Sequence, residues 1–344
     1  MKPDRNAALE SAANRQPGKA ALHADSAAMA LESSVPKMIF TVMIATRDRR
    51  ADLEVTCAKL LDLQPMPDET LICMDGCVDD TAEMLRSRFP MFRVIRNPLQ
   101  RGSVYSRDRM LRSARGEIVL SLDDDSYPLR LDFFQRLAAV FAQHPEAAVV
   151  VFPELRDGNR FAARDRPDTS LGHYVSAYAN CAAAMRRDFY FEQPGFPEFF
   201  HHTYEEPDYA LQCYAAGKPV WFEPSLVVRH HESPVNRHAV QRHHLNARNE
   251  LWSVWLRCPW PWLPLVSVYR VMRQFAYACS EGADWAIREP VWWFGALKGW
   301  RRCLRLRQPI CWPTYYNWLR LARAPVYSAC DLCKKFLRLS WLIL

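Results

Sequence analysis

The stretch Ile118-Val-Leu-Ser-Leu-Asp-Asp-Asp125 decides how this chain is read. Ile118 to Leu122 has the near-continuous apolar character of a strand buried on both faces, as in a parallel sheet. The run then stops abruptly in three adjacent carboxylates. Acids gathered at the end of a buried strand repel one another unless a cation offsets them, and carboxylate oxygen is the ligand that Mg²⁺ and Mn²⁺ prefer. Ligands of open α/β sheets also collect at the carboxyl ends of the strands. The competing reading is a solvated acidic turn, with Asp124 or Asp125 capping a helix that starts near Leu131.

Upstream, the pattern alternates. Ile39–Ala45 is a β-rich apolar run, followed by the polar turn Thr46 to Arg50 and a helical period over Leu53–Leu63. A second strand covers Glu69–Met74 and ends in Asp75-Gly76, with Asp79 or Asp80 placed to cap a helix over Ala82–Arg88. A third strand, Phe92–Ile95, and a helix, Val104–Ala114, lead into the Ile118 strand. This β-α-β-α order predicts a parallel sheet with right-handed crossovers. Each strand ends in polar residues, so the sheet has one polar edge of the kind a nucleotide pocket needs. Arg101 and Arg107 lie between the third and fourth strands, on a solvated helix face or beside a pyrophosphate.

Residues 1–36 are Ala-rich, polar and without sustained periodicity, and read as a disordered lead. Charge is unevenly placed in the rest. Leu251 to Leu344 carries 14 Lys/Arg against 4 Asp/Glu and 11 of the 12 tryptophans, so this tail is +10 while the chain as a whole is +7. Arg and Trp on short apolar segments punctuated by proline suit the surface of an anionic membrane, with indole at headgroup depth. The Trp292-Trp-Phe run and Trp300 to Arg307 are the segments expected to lie flat there, unless those aromatics pack on the rest of the protein. No helix-turn-helix, zinc-finger or aromatic RNA-binding signature accompanies the basic residues, so nucleic acid is not an expected partner. No stretch reaches 18 uninterrupted apolar residues, and peripheral attachment is expected rather than spanning. Eleven irregularly spaced cysteines, with no apolar core in the first 30 residues to act as a secretory signal, give the expectation of a reducing, cytoplasmic setting. Cys330-x-x-Cys333 alone is weak evidence for zinc, and both thiols read as small helix residues.

An ordered set of motifs goes further. Thr41-Val-Met-Ile-Ala-Thr-Arg-Asp-Arg49, Asp75-Gly-Cys-Val-Asp-Asp-Thr81, Asn97 through Gly102 to Arg107-Asp108, and Leu122-Asp-Asp-Asp125 follow one another in that order. Downstream come Asn180-Cys-Ala-Ala-Ala-Met-Arg-Arg187, Pro194 to Phe200, Tyr204-Glu-Glu-Pro-Asp-Tyr209, and Gly217 to Pro224 running on to His230. This series resembles the family 2 glycosyltransferases, inverting enzymes with the GT-A fold, over roughly residues 38–250. A lone Asp-x-Asp is common, but the whole series in order is far more specific. The resemblance implies an α/β GT-A domain at 37–250, a mostly parallel nucleotide-binding sheet flanked by helices, followed by a basic, Trp-rich helical module at 251–344.

The resemblance also implies roles. Asp123 and Asp125 match the Asp-x-Asp that holds the ribose and, through a divalent metal (Mg²⁺ or Mn²⁺), the diphosphate of a sugar nucleotide. Thr46 and Asp75 match positions lining the nucleoside pocket, Arg107 an arginine near it, and His230 a further metal contact after a strand at Leu226–Val228, with His231 as competitor. Inversion needs one general base. The family's acidic pair aligns with Glu205-Glu206 and the base position with Glu206, leaving Glu205 and Asp208 as alternatives. Glu stands here where Asp is commoner, Gln212 where arginine is frequent, and Met74 precedes Asp75 where a second Asp is usual. Arg248, with Asn249, matches a pair that covers the diphosphate, while His243 and His244 lie on the same segment. The implied activity is transfer from a nucleoside-diphosphate sugar, UDP favoured, to a glycan or lipid-linked acceptor in surface polysaccharide or glycolipid synthesis. A sugar or nucleotide binder that kept the fold without catalysis is the alternative. A nucleotidyltransferase ranks lower, because the loop Thr46 to Asp52 has arginines but no glycine.

Overall fold

The structure, a computed structural model, describes residues 38–157, 160–161, 171–235 and 238–337. The expected disordered lead at 1–36 lies outside the described residues.

The apolar runs become the centre of an eight-stranded sheet. Strands β1 (Phe40–Thr46), β2 (Glu69–Asp75), β3 (Arg93–Asn97) and β4 (Ile118–Asp123) lie parallel in the order β3-β2-β1-β4. Val42, Ile44, Leu71, Ile72, Leu120 and Leu122 are wholly buried, which is why these strands read as unbroken hydrophobic runs rather than alternating ones. The helices between them, α1 (Arg50–Leu61), α2 (Thr81–Arg88) and α3 (Ser103–Ser113), follow the expected places within a few residues at their ends. Asp80 takes the N-cap position of α2, and Asp79 accepts from the Thr81 amide at 3.2 Å.

After β4 the sequence had been less legible. A short β5 (Ser126–Pro128) intervenes before α4 (Phe133–Gln143), whose N-cap position is Asp132, so Asp124 and Asp125 cap nothing there. The sheet continues through β10 (Ala183–Arg186), antiparallel to β4, then β6 (Val149–Val151), β11 (Val220–Phe222) and β9 (His173–Tyr174). A second sheet has the order β5-β12-β7-β8, with β7 at Glu154–Arg156, β8 at Arg160–Phe161 and β12 at Val228–His230. Here the strand expected at Leu226–Val228 is displaced by two residues, so His230 ends the strand instead of following it. Its pairing with β5 sets His230 opposite Ser126, beside the acidic triplet.

The helices α5 (Arg187–Glu192), α6 (Glu205–Ala215), α7 (Ala239–Arg257), α8 (Leu263–Glu281), α9 (Ala283–Arg288), α10 (Pro290–Arg305), α11 (Trp312–Leu321) and α12 (Ala329–Leu337) complete the chain. The boundary expected at 250/251 falls inside α7, and from Met38 onward the chain forms one compact unit. Buried polar pairs join the two sides of that boundary. Asp208 on α6, fully buried, accepts from Arg257 Nε and Nη2 at 3.2 and 3.0 Å, from Ser253 Oγ at 2.7 Å and from Gln212 Nε2 at 2.8 Å. Trp252, Trp255, Trp292 and Trp318 are buried, and the Trp318 indole donates to the Ser176 carbonyl at 2.7 Å. Those aromatics therefore pack on the protein. Other apolar residues do not: Leu265, Val268, Tyr269 and Met272 form an exposed stripe on α8, and Ile287, Val291, Phe294 and Leu297 another along α9 and α10. Among the described residues no helix is long and apolar enough to cross a membrane.

Candidate active site

The polar edge of the parallel sheet opens into a cleft of about 830 Å³, lined among others by Arg107, Asp123, Cys181, Glu206, His230 and Arg242. Three elements bring its centre together. Asp123 closes β4, and His230 closes β12. Cys181 lies in the 3₁₀ turn Asn180–Ala182 that leads into β10, where Ala183 pairs with Ser121. The turn sits beside the end of β4, with one ligand atom of Cys181 within 4.8 Å of one of Asp123, and Ser126 Oγ fixes it by donating to the Cys181 carbonyl at 2.9 Å.

The three aspartates have separate duties. Asp123 is the one that lines the cleft; its Oδ1 accepts from Arg107 Nη2 at 2.5 Å. Asp124 is buried and held by Thr46 Oγ1 at 2.8 Å and Arg49 Nη1 at 2.5 Å. Burial pushes its carboxyl up to about 7 against the pull of Arg49, with Asp125 and Asp123 adding to the rise. Asp125 is also buried, its Oδ2 taken by Arg49 Nη2 at 2.7 Å and the Ser233 amide at 2.8 Å, while Oδ1 stands 3.3 Å from His230 Nε2. Burial works to raise it, but His230 and Arg49 prevail and hold it well below the usual carboxylate range. Arg49 was not among the residues singled out from the sequence; a polar turn after β1 gave no sign that its guanidinium would fork across two strand-end acids.

His230 is oriented from behind. Its Nδ1 lies 3.1 Å from Oε2 of buried Glu154, which turns Nε2 toward Asp125 and, at 3.9 Å, Asp123. A carboxylate behind a histidine is the usual second partner of a metal-ligating imidazole. Burial opposes the charged ring, yet Asp125 and the neighbouring Cys181 and Asp123 carry it up to about 10. One ligand atom each from Asp123, Cys181 and His230 lie within 4.8 Å of one another. Carboxylate, imidazole and thiol are all competent donors, so the residues fit a divalent metal. Asp125, expected as a principal ligand, touches His230 but stands outside that trio.

The remaining expected residues divide. Asp75 sits at its strand end, but its carboxylate accepts from Asn97 Nδ2 and the amides of Arg101 and Gly102, all at 2.8 Å, and so shapes the 97–102 loop. Gly102 is obligatory there: φ is +94° and a Cβ would meet the His201 carbonyl at 2.2 Å. Arg107, buried, spans Asp123 and Glu205, with Nη1 3.1 Å from Glu205 Oε1. Arg248 is not brought to the cleft. Its guanidinium stacks 4.2 Å over Trp252 and donates to the Phe200 carbonyl at 3.0 Å, while Arg242 and Asn246 line the cleft from the other side of α7. Two residues beyond Asn246 on a helix is a turn of about 200°, which carries a side chain to the far face.

Among the acids of α6 the structure separates two committed to buried partners from one that faces the cleft. Glu205 is buried and tied to Arg107 and to Asn180 Nδ2 at 3.0 Å. Asp208 is committed to Arg257. Glu206 is part-buried, lines the cleft and accepts from the Asn180 amide at 3.3 Å. Burial and the adjacent Glu205 push its carboxyl up to about 8, against the pull of Arg107. The segment presenting it is strained: His201, Thr203 and Tyr204 all have positive φ, between 66° and 68°. Asn249 holds that turn, its Nδ2 donating to the carbonyls of Phe200, His202 and Thr203 at 3.0, 2.8 and 2.9 Å. Backbone strain of this kind persists where surrounding contacts over-determine it, often beside a functional group.

Comparison with known proteins agrees with this architecture. The chain is similar to a solved structure of GalNAc-T7 with UDP, GalNAc and Mn²⁺ at 14% identity and a TM-score of 0.54, covering 67% of this chain but only 49% of that one. A mannosyltransferase from Pyrobaculum calidifontis in complex with GDP-Man and Mn²⁺ aligns at 17% identity and TM-score 0.51, over 78% of this chain and 84% of its own. S. aureus TarS 1-349 in complex with UDP-GlcNAc aligns at 14% and 0.56, over 83% and 88%. No curated protein matches by sequence. These likenesses bear on the fold, which is GT-A. The sequence model of glycosyl transferase family 2 matches residues 41–212, half of the chain, and the chain belongs to that family.

Proposed function

We propose that this protein is a metal-dependent inverting glycosyltransferase that moves a sugar from a nucleoside-diphosphate sugar to a hydroxyl of a glycan or lipid-linked acceptor. The observation that carries the reading is one continuous cleft wall. Arg107 links the strand-end Asp123 to Glu205, and the next residue, Glu206, places a carboxylate of raised pKa in the same cleft. UDP is favoured as the nucleotide, in keeping with the UDP named for two of the similar structures, with GDP named for the third.

In this reading the chain's groups divide the work. Asp123 and His230 would hold a divalent ion, with Asp125 beside the His230 ring, and the ion when bound would offset charge on the departing diphosphate as a Lewis acid. Arg107 keeps Asp123 aimed into the cleft and neutralises Glu205, so that Glu206 is the carboxylate left to take the acceptor proton. Glu206 with a pKa near the working pH is well matched to that step. Direct displacement with a single base inverts the anomeric carbon.

The acceptor side is built by the C-terminal helices, since Gln274 and Tyr277 of α8 and Trp285 of α9 line the cleft with His243. One exposed apolar stripe lies on α8 and the other runs from α9 into α10, with Lys298, Arg301 and Arg305 of α10 exposed. We place this surface on an anionic membrane at the cytoplasmic face, bringing a lipid-linked acceptor to the cleft. Replacing Leu265, Val268 and Met272 together by serine would then release the protein from anionic vesicles while sparing transfer to a soluble acceptor. The test of the central reading is transfer from UDP-sugars with Mn²⁺, with the product's anomeric configuration read by NMR. Inverted product from wild type and none from Glu206→Gln supports it, whereas retained configuration contradicts it.

A further inference from the structure

We propose that Cys181 supplies a thiol ligand to the divalent-metal site, which tunes it to ions such as Zn²⁺ and Co²⁺ in preference to Mg²⁺. The inference rests on the metal-dependent reading above and concerns which ion and which donor. Its basis is the convergence of three elements. The end of β4, the turn before β10 and the end of β12 place Asp123, Cys181 and His230 ligand atoms within 4.8 Å of one another.

The position of the thiol is built, not incidental. Cys181 is buried, and its turn is pinned on both sides. Ser126 Oγ holds the Cys181 carbonyl, and Asn180 is held by Glu205 through its side chain at 3.0 Å and Glu206 through its amide at 3.3 Å. Glu154 fixes the imidazole opposite. A site of carboxylates and water alone suits Mg²⁺ or Mn²⁺, whereas thiolate and imidazole shift the preference toward Zn²⁺ and its neighbours. The bond is made by the thiolate, so the thiol proton leaves to solvent as the sulfur–metal bond forms, and the His230 ring gives up its proton likewise.

The test uses the purified full chain with Co²⁺ and UDP, reading the absorption spectrum. The expected result is a near-ultraviolet thiolate-to-cobalt charge-transfer band that Cys181→Ser and Cys181→Ala both lose. Cys77→Ser and the Cys330→Ser/Cys333→Ser double variant should retain it. Cys181→Ala should also narrow the preference for Co²⁺ over Mg²⁺ by roughly tenfold or more, the scale on which metal sites respond to losing a supporting group. Should both Cys181 variants misfold, X-ray absorption of the wild type still decides, with one sulfur expected at about 2.3 Å from a bound zinc. A band that survives loss of Cys181, or bound cobalt with d–d bands and no charge transfer, overturns the proposal and leaves the transferase reading standing. No cobalt bound with UDP present overturns both.

Discussion

Replacing Asp208 by alanine separates a structural acid from a catalytic one. Asp208 is 0% exposed and Arg257 3%, and the carboxylate is shared among Arg257, Ser253 and Gln212. Removing it leaves a buried guanidinium without its counter-charge, a loss on the order of 3–5 kcal/mol. A unit of about 300 residues has an unfolding entropy near 0.6 kcal/mol/K, so the melting midpoint should fall by about 5–8 °C. Asp208→Asn should fall by less, since it keeps the shape and one acceptor. Thermal melting gives the stability and transfer per folded molecule gives the chemistry. Near-normal transfer by the folded fraction is expected. A variant that melts with the wild type but has lost transfer a hundredfold would make Asp208 the base and refute the assignment to Glu206.

Other outcomes follow from the same geometry. Glu206 acts only as the carboxylate, and its carboxyl sits at about 8, so transfer should climb about tenfold per pH unit below that value and level off above it. Glu206→Gln should lower transfer by roughly 10²- to 10⁴-fold while leaving donor binding intact, as calorimetry would show. Glu154→Gln should weaken metal affinity by roughly 10- to 100-fold in a metal titration, since it removes the charge that orients His230. Asn249→Ala frees three carbonyls of the positive-φ turn before Glu206 and should lower kcat more than it raises KM for the donor. Unchanged kcat there would mean that the turn is held without Asn249.

The parallel half of the fold was legible because its signals are local. Each apolar run that became β1, β2 or β4 is buried on both faces, and its length, 7, 7 and 6 residues, is that of a strand and too short for a helix. Asp123, Glu206, His230 and Arg107 were expected from motif order, and all four line one cleft. What escaped depends on pairing between distant segments. His230 meets the acids only because β12 lies antiparallel to β5, Cys181 only because β10 runs back along β4, and Glu154 only because β7 lies beside β12. A cysteine read for disulfides and Cys-x-x-Cys spacing carries no sign of a carboxylate 58 residues away in the chain. The domain boundary at 250/251 was drawn where composition turns basic and Trp-rich. Composition reports solvent and packing partners, not chain continuity, and α7 with its Asp208–Arg257 pair runs straight across it. Arg248 was placed by spacing alone, and helical phase turned it onto Trp252 instead.

The most direct test of the account is the melting midpoint of the purified protein against a panel of nucleoside diphosphates and their sugars, with Mn²⁺ and again with chelator, alongside Asp123→Asn. A ligand that binds only the native state must raise the midpoint, by the equivalent of about 2.7 kcal/mol at a hundredfold excess over Kd. The account predicts such a rise for UDP or a UDP-sugar, lost with chelator and lost in Asp123→Asn. A midpoint that no nucleotide moves, or a rise indifferent to both metal and Asp123, would contradict it.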